Sequence, residues 1–293
     1  MNIYIGCSGW SYSGWKGTFY PKELESKKWL SYYARFFKFV EVDSTYYSIP
    51  SRFVVKGWKD KTPDDFRFTL KFPKEITHGK RLLDASRYLI PFFHALEPLV
   101  DKTLMLLIQL PPYLTKKNGY EYIENLVPNL DNRYRYALEV REPSWFDDGV
   151  CDFLKENNMS LVWSVRDDLT TPPMVTSHQI YIRFIGDRSI SEMDFGKIVR
   201  DRQKEMKEYA NHIIRMQQGD GIGQQQQQIA IAFNNHFAGF GPQSANEFLR
   251  LMDKPEIDWK GALHQKQQQV GFDSLASEAQ RQPQTSISDF THP

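Results

Sequence analysis

The sequence predicts an α/β protein folded as a single-domain (β/α)8 barrel of the TIM type over residues 1–255, with a glutamine-rich tail over 256–293. Three observations carry that prediction. Strand-like runs alternate with helix-like runs eight times along the chain, which is the rhythm of parallel βα units. Several of the strands are apolar on both faces, as expected of a parallel sheet covered by helices. The length of 293 residues suits eight such units closed into one barrel. An open doubly wound sheet is the alternative, but Gly6-Cys7-Ser8-Gly9 lacks the spacing of the G-x-G-x-x-G dinucleotide fingerprint.

Taken in order, residues 3–6 form the first strand, followed by a loop rich in Gly, Ser and aromatics and a helix over 26–37. The second strand, 39–43, leads past Pro50 into a short helix over 51–59. Strand three covers 66–71, and a helix follows over 84–99. Strand four, 103–110, is a nearly continuous apolar run stopped by Pro111-Pro112, since proline cannot donate to a central ladder. A helix over 119–127, a fifth strand at 136–141 and a helix over 146–157 come next. The sixth strand spans 160–165, and the seventh, 179–186, precedes a long charged helix over 195–217. An eighth strand at 229–234 and a helix over 243–252 complete the barrel. The glutamine run 224–228 reads as a loop before the last strand, and the Gln- and Ser-rich stretch from about 266 onward lacks periodicity and reads as disordered.

Composition bounds the function. Hydrophobic residues make up 41% and charged residues 25% of the chain, enough for a large core. The formal net charge of +1 gives no bulk electrostatic case for broad nucleic-acid or membrane binding. Aromatics reach 14%, which suits both a core and a cleft that stacks on flat ligands. Cys7 and Cys151 form neither a disulfide framework nor a metal knuckle and read as buried, inert thiols. The amino terminus enters a strand directly and no run reaches the length of a membrane span, so a cytoplasmic setting is expected.

Two strands carry charges where apolar residues are expected. Glu41 and Asp43 share one face of the second strand, opposite Val40 and Val42, and Glu139 and Arg141 oppose Leu138 and Val140. Acidic side chains in such runs must be paired or line a wet cavity. In a closed barrel the reacting groups come from the carboxyl ends of strands and the loops beyond. That rule selects Trp10 after strand one, Glu41 and Tyr46 from strand two, Lys71 and then His78 from strand three, and Gln109 from strand four. Strand five adds Glu139, Arg141 and Trp145, strand seven adds Arg183, and strand eight adds Asn234, Asn235 and His236. Glu41, Glu139 and Lys71 are the candidate catalytic residues; Trp10, Tyr46, His78, Arg141, Trp145, Arg183, Asn234 and Asn235 are candidates for holding substrate. Each has a plain structural alternative. Glu41 and Glu139 pair with Lys71 and Arg141 as an interior network, Arg183 is a strut to a neighbouring carboxylate, and the Trp10–Trp15 aromatics are a loop's own small core. Lys71, Arg141 and Arg183 against Glu41 and Glu139 leave about one positive charge, which suits a phosphate- or carboxylate-bearing ligand.

Several of these motifs together resemble a known family. Ile5-Gly6-Cys7-Ser8-Gly9-Trp10, Val40-Glu41-Val42-Asp43-Ser44-Thr45-Tyr46-Tyr47, and Phe66-Arg67-Phe68-Thr69-Leu70-Lys71 leading to Ile76-Thr77-His78 stand in order. Leu138-Glu139-Val140-Arg141 leading to Ser144-Trp145, and Phe233-Asn234-Asn235-His236 with Gly239 and Pro242, follow. They resemble the YecE-like proteins of domain of unknown function 72, over roughly residues 3–252. The resemblance implies a (β/α)8 barrel and a cluster of motif residues, and it brings no reaction. One departure stands out: many members of the family carry a His before the Gly after the strand-seven arginine, where this chain has Ile185-Gly186.

Three function classes follow. The first is a hydrolase acting on an anionic or sugar-like substrate, with Glu139 as base or orienting group, Glu41 as its partner, and Lys71, Arg141, Arg183 and the two asparagines holding developing negative charge. The second is a metal-dependent phosphoesterase- or isomerase-type barrel with Glu41, Glu139 and His78 as ligands, disfavoured by the Lys and Arg among the acids. The third is a non-catalytic binder of anionic ligands or of unpaired bases, the latter through Trp10, Trp15, Trp58 and Trp145. The favoured reading needs no cofactor and no metal.

Overall fold

The structure, a computed structural model, describes residues 1–79, 86–218 and 228–263. Nine parallel ladder segments form one sheet: β1 (Asn2–Ser8), β2 (Phe39–Val42), β3 (Arg67–Lys71), β4 (Thr103–Gln109), β5 (Tyr136–Glu139), β6 (Ser160–Leu161), β7 (Trp163–Val165), β8 (Gln179–Phe184) and β9 (Gln228–Phe233). Their order is β6-β5-β4-β3-β2-β1-β9-β8-β7. The two ends of that order, β6 and β7, are parted in the chain by Val162 alone. One half pairs with β5 and the other with β8, so the sheet comes back on itself as a barrel. The expected sixth strand is therefore a single run whose ladder changes sides in the middle.

Around it lie α1 (Trp29–Tyr33), α2 (Arg52–Asp60), α3 (Ser86–Leu96), α4 (Lys116–Leu126), α5 (Asp148–Glu156), α6 (Gln203–Gln217), α7 (Asn235–Ala238) and α8 (Gly241–Leu251). Strand alternation divides the core in two. Val40, Val42, Leu70, Leu106, Ile108, Leu138 and Val140 face outward and pack under the helices in the larger cluster. Phe39, Met105, Leu107, Ala137, Val162, Tyr181, Ala230 and Ala232 form a second, separate cluster, which fills the barrel interior.

Four boundaries differ from the sequence expectation. The helix expected over 195–217 starts at Gln203. Gly196 has φ +101°, outside the helical region, and the Gly196 and Val199 amides donate instead to the carbonyls of Gly239 and Ala238. The helix expected over 26–37 is a 3-10 turn, Ser26–Lys28, running into the short α1. The helix expected to reach residue 99 passes after α3 into a 3-10 segment, Glu97–Lys102, with Pro98 in its first turn. Finally, packed chain continues past the expected boundary at 255. Trp259 is fully buried against Phe19, Phe37 and Phe240, and its indole N–H donates to the Thr18 carbonyl at 3.0 Å. The expected disordered tail beyond 263 and the loop before Gln228 lie outside the described residues.

Candidate functional site

Parity carries charge into the barrel. Glu41 alternates with the interior Phe39 on β2, Arg183 with Tyr181 on β8, and Lys71 with Thr69 on β3, so all three point inward near the carboxyl ends of their strands. Arg183 stands at the centre, 2% exposed. Its Nε and Nη2 donate to the two oxygens of Glu41 at 2.6 and 2.7 Å, a bidentate fork. Its Nη1 donates to Glu139 Oε2. Tyr181 also donates to Glu41 and shares a 2.8 Å hydrogen bond with Thr69 Oγ1. Both glutamates are wholly buried, a costly place for a charge unless it is paired. Here every one is paired.

A second tier lies above. The free oxygen of Glu139 pairs with Arg141 Nη2. Asp43 pairs with Lys71 Nζ at 2.9 Å and sits 3.9 Å from Arg183. A 3-10 turn, Ser44–Tyr46, then carries Tyr46 over Lys71, with Nζ 5.4 Å from the ring centroid. The buried Thr45 hydroxyl ties the ends of β2 and β3 by bonding the Val42 and Lys71 carbonyls. Lys71, Arg141 and Arg183 thus face three carboxylates rather than two. Asp43 cancels the single positive charge expected from the sequence count.

Protonation states follow from this packing. Burial pushes the Asp43 carboxyl up, but the Lys71 and Arg183 cations outweigh it and hold the group below its ordinary value. Burial alone would favour neutral Arg183; the two glutamates reverse that and raise it well above its usual value. Burial, reinforced by the Glu41 charge, raises the Tyr181 hydroxyl well above the usual phenol range, so it stays a donor. Burial lowers the imidazoles of His78 and His236.

The network opens into a cleft of ≈ 680 Å³ at the carboxyl end of the barrel. Of the sequence candidates, Tyr46, Lys71, Arg141, Arg183 and Asn234 line it. Glu41 and Glu139 are not at its surface; they lie beneath, held by Arg183. For Glu41 this corrects the catalytic expectation, because both its oxygens are occupied by Arg183 and Tyr181. Trp145 is corrected as well. It is fully buried, and its indole N–H donates to the Leu114 carbonyl at 2.7 Å. Asn235 is buried with its carbonyl oxygen accepting from Trp15 Nε1 and the Gly241 amide, a joint between loops. Trp10 packs edge-on against Trp58, and Trp15 lies in the core. The aromatic platform expected for unpaired bases is not formed by these four rings. His78 stands outside the cleft lining, edge-on to Tyr46 with Nδ1 2.8 Å from Thr77 Oγ1.

Asn234 caps α7 through its Oδ1 and the His236 amide, which sets His236 at the cleft wall. Gly186, at φ +74°, lets the chain after β8 pass close by; a Cβ there would lie 2.2 Å from the His236 carbonyl oxygen. Beside it, Ile185 lines the cleft. Sequence reasoning missed Asp43 as a site residue, although its shared face with Glu41 was the signal. It also missed Arg188, on an irregular loop with no periodicity to place it. Among the described residues, no group of three or more His, Cys, Asp or Glu side chains is placed to hold a metal.

A family model described as "Protein of unknown function DUF72" matches residues 4–269. UPF0759 protein YunF of Bacillus subtilis is 26% identical over 88% of this chain and 96% of its own length. UPF0759 protein YecE of Escherichia coli is 31% identical over 50% of this chain and 51% of its own length. Among solved structures, a DUF72 family protein from Thermotoga maritima superposes with a TM-score of 0.71 at 26% identity, covering 87% of this chain and all of that one. A DUF72 family protein from Enterococcus faecalis shares the fold at TM-score 0.68 and 22% identity.

Proposed function

This chain belongs to the DUF72 family, and from that premise we propose that it is a hydrolase acting on an anionic substrate at the carboxyl-end mouth of its barrel. The observation that carries the reading is the Asp43–Lys71 pair at the cleft wall above a fully ion-paired floor. Asp43 is 27% exposed and held ionised by Lys71 and Arg183. In that state it orients the attacking water by accepting a hydrogen bond from its O–H. Lys71 and Arg141 stand ready to receive negative charge as it develops on the scissile group, and Arg183 with its two glutamates fixes their positions. Glu139 acts through Arg141 rather than on substrate. Two buried, unpaired thiols, Cys7 and Cys151, support a cytoplasmic setting, and no helix of the described residues is long and apolar enough to cross a membrane.

The test is initial-rate measurement on chromogenic phosphoesters and glycosides with the wild type and Asp43→Asn. The expected result is turnover by the wild type and a loss of at least about a hundredfold in kcat in the variant, with unchanged circular dichroism. Wild-type turnover that Asp43→Asn leaves intact would overturn the assignment. A second reading is favoured by one observation: every carboxylate at the floor already has a cation partner. On that reading the barrel binds an anionic or sugar-like ligand without chemistry, and the same assay finds no rate while calorimetry finds binding.

A further inference from the structure

The cleft has opposite hydrogen-bonding character at its two depths. Below the lip, Asp43, Lys71, Gln109 and Arg141 line the cleft, and Gln109 Oε1 is buried with no hydrogen-bond partner among the described residues. Asp43 Oδ1 is paired with Lys71 Nζ at 2.9 Å. One donor, Arg141 Nε, is unpartnered beside them. A set that mixes acceptors with donors is a poorer seat for a phosphate or carboxylate, whose oxygens are acceptors themselves. It is a good seat for hydroxyl groups, and a buried acceptor without a donor is costly enough to select for them.

The lip is different. Arg188 is exposed, lines the cleft, and makes no hydrogen bond or ion pair with another described residue. Its backbone has φ +65°, the left-handed region that is unfavourable for a residue with a Cβ. The neighbouring loop imposes that geometry. Asp187 Oδ1 accepts from the Ser189 amide at 2.9 Å and its hydroxyl at 2.6 Å, and Arg200 bridges Asp187 to Asp167 at 3.2 and 3.1 Å. Arg166, the other arginine of the lip, is taken up by Asp168. Glu192 lines the same side near Tyr12 and His236 and adds one more acceptor.

We propose that the cleft takes an acidic polyol, a sugar or sugar-like chain bearing one phosphate or carboxylate, with its hydroxyls on Asp43 and Gln109 and its acid group on Arg188. This rests on the anionic-substrate reading above and gives that substrate a class and a direction: hydroxyls down, acid up. Arg188 then offers the acid group a guanidinium at the cleft lip that is not tied to a carboxylate and is able to grip it bidentately.

The test is calorimetric binding of glucose 6-phosphate, glucuronate, glucose, phenyl phosphate and benzoate to the full chain. At least one sugar acid is expected to bind tenfold or more tighter than both glucose and its aromatic counterpart, and which one does separates phosphate from carboxylate. Arg188→Gly, which suits the left-handed backbone, is expected to erase the advantage over glucose while Tm holds or rises. Gln109→Leu is expected to weaken the sugar acid and glucose alike. Phenyl phosphate or benzoate binding as tightly as the sugar acids would overturn the polyol class and leave the anionic-substrate reading standing. An Arg188→Gly variant with wild-type affinity, or one whose Tm falls by several degrees, would overturn the role of Arg188. Failure of all four acids and glucose to bind would overturn both this inference and the reading beneath it.

Discussion

The same strands enclose two different interiors. Toward their amino ends the barrel is filled by Phe39, Met105, Ala137, Ala230 and their neighbours, an apolar plug with Tyr181 at its upper edge and Tyr4 packed against it. Toward their carboxyl ends it holds Glu41, Asp43, Lys71, Glu139, Arg141 and Arg183. Packing explains the lower half fully, since each residue there gains by leaving water. It does not explain the upper half, where each ion loses its hydration and is compensated only by a partner. A fold that needed nothing but stability would continue the plug upward. The difference teaches that the charged half answers to the cleft above it.

Removing one member of the charged half should have the largest effect. Arg183→Met leaves Glu41 and Glu139 buried without their shared cation and is expected to cost about 3–5 kcal/mol, read by denaturant unfolding, with loss of any ligand binding. Phe39→Ala in the apolar half is expected to cost about 2–5 kcal/mol through the cavity it leaves, yet to keep ligand affinity. If both variants lost affinity equally, the two interiors would not be functionally distinct. Tyr181 joins the halves, and Tyr181→Phe should cost about 1–3 kcal/mol, because Glu41 and Thr69 each lose a buried partner.

The smallest effect is a pH slope. The Asp43 carboxyl is depressed in the fold, so its contribution is complete above the ordinary carboxylate range near ~4. It is lost as the pH falls through the lower, folded value. Asp43→Asn should therefore flatten the stability profile on the acid side and leave it parallel to wild type near neutrality. An unaltered acid limb would show that Lys71 and Arg183 do not hold that charge.

Much of this was legible in the sequence because strands repeat every two residues. Glu41 beside Val40 and Val42, and Glu139 beside Leu138 and Val140, mark an inward charged face. The barrel followed from the βα rhythm, and even the broken ladder at Val162 lies inside the expected sixth strand. Tier was not legible. Parity says that Glu41 and Asp43 point the same way, but not that the first is sealed under Arg183 while the second reaches the cleft. Trp145 and Asn235 followed motif residues at strand ends and turned inward to carbonyl and indole partners, contacts set by loops far away in the chain. Arg188 owes its place to Asp187, Ser189 and Arg200, a tertiary clamp that no period in the sequence announces.

The most direct test of the central claim replaces the buried triad as a unit. Glu41→Leu, Glu139→Leu and Arg183→Met together remove three ions and leave apolar side chains of similar size. Equilibrium unfolding and calorimetric binding of glucose 6-phosphate and glucuronate would be measured on the same preparation. If the charges serve the cleft, the triple variant folds with stability equal to wild type or up to about 4 kcal/mol greater and binds neither ligand. A variant that unfolds, or that is stable and binds as wild type does, would contradict the account.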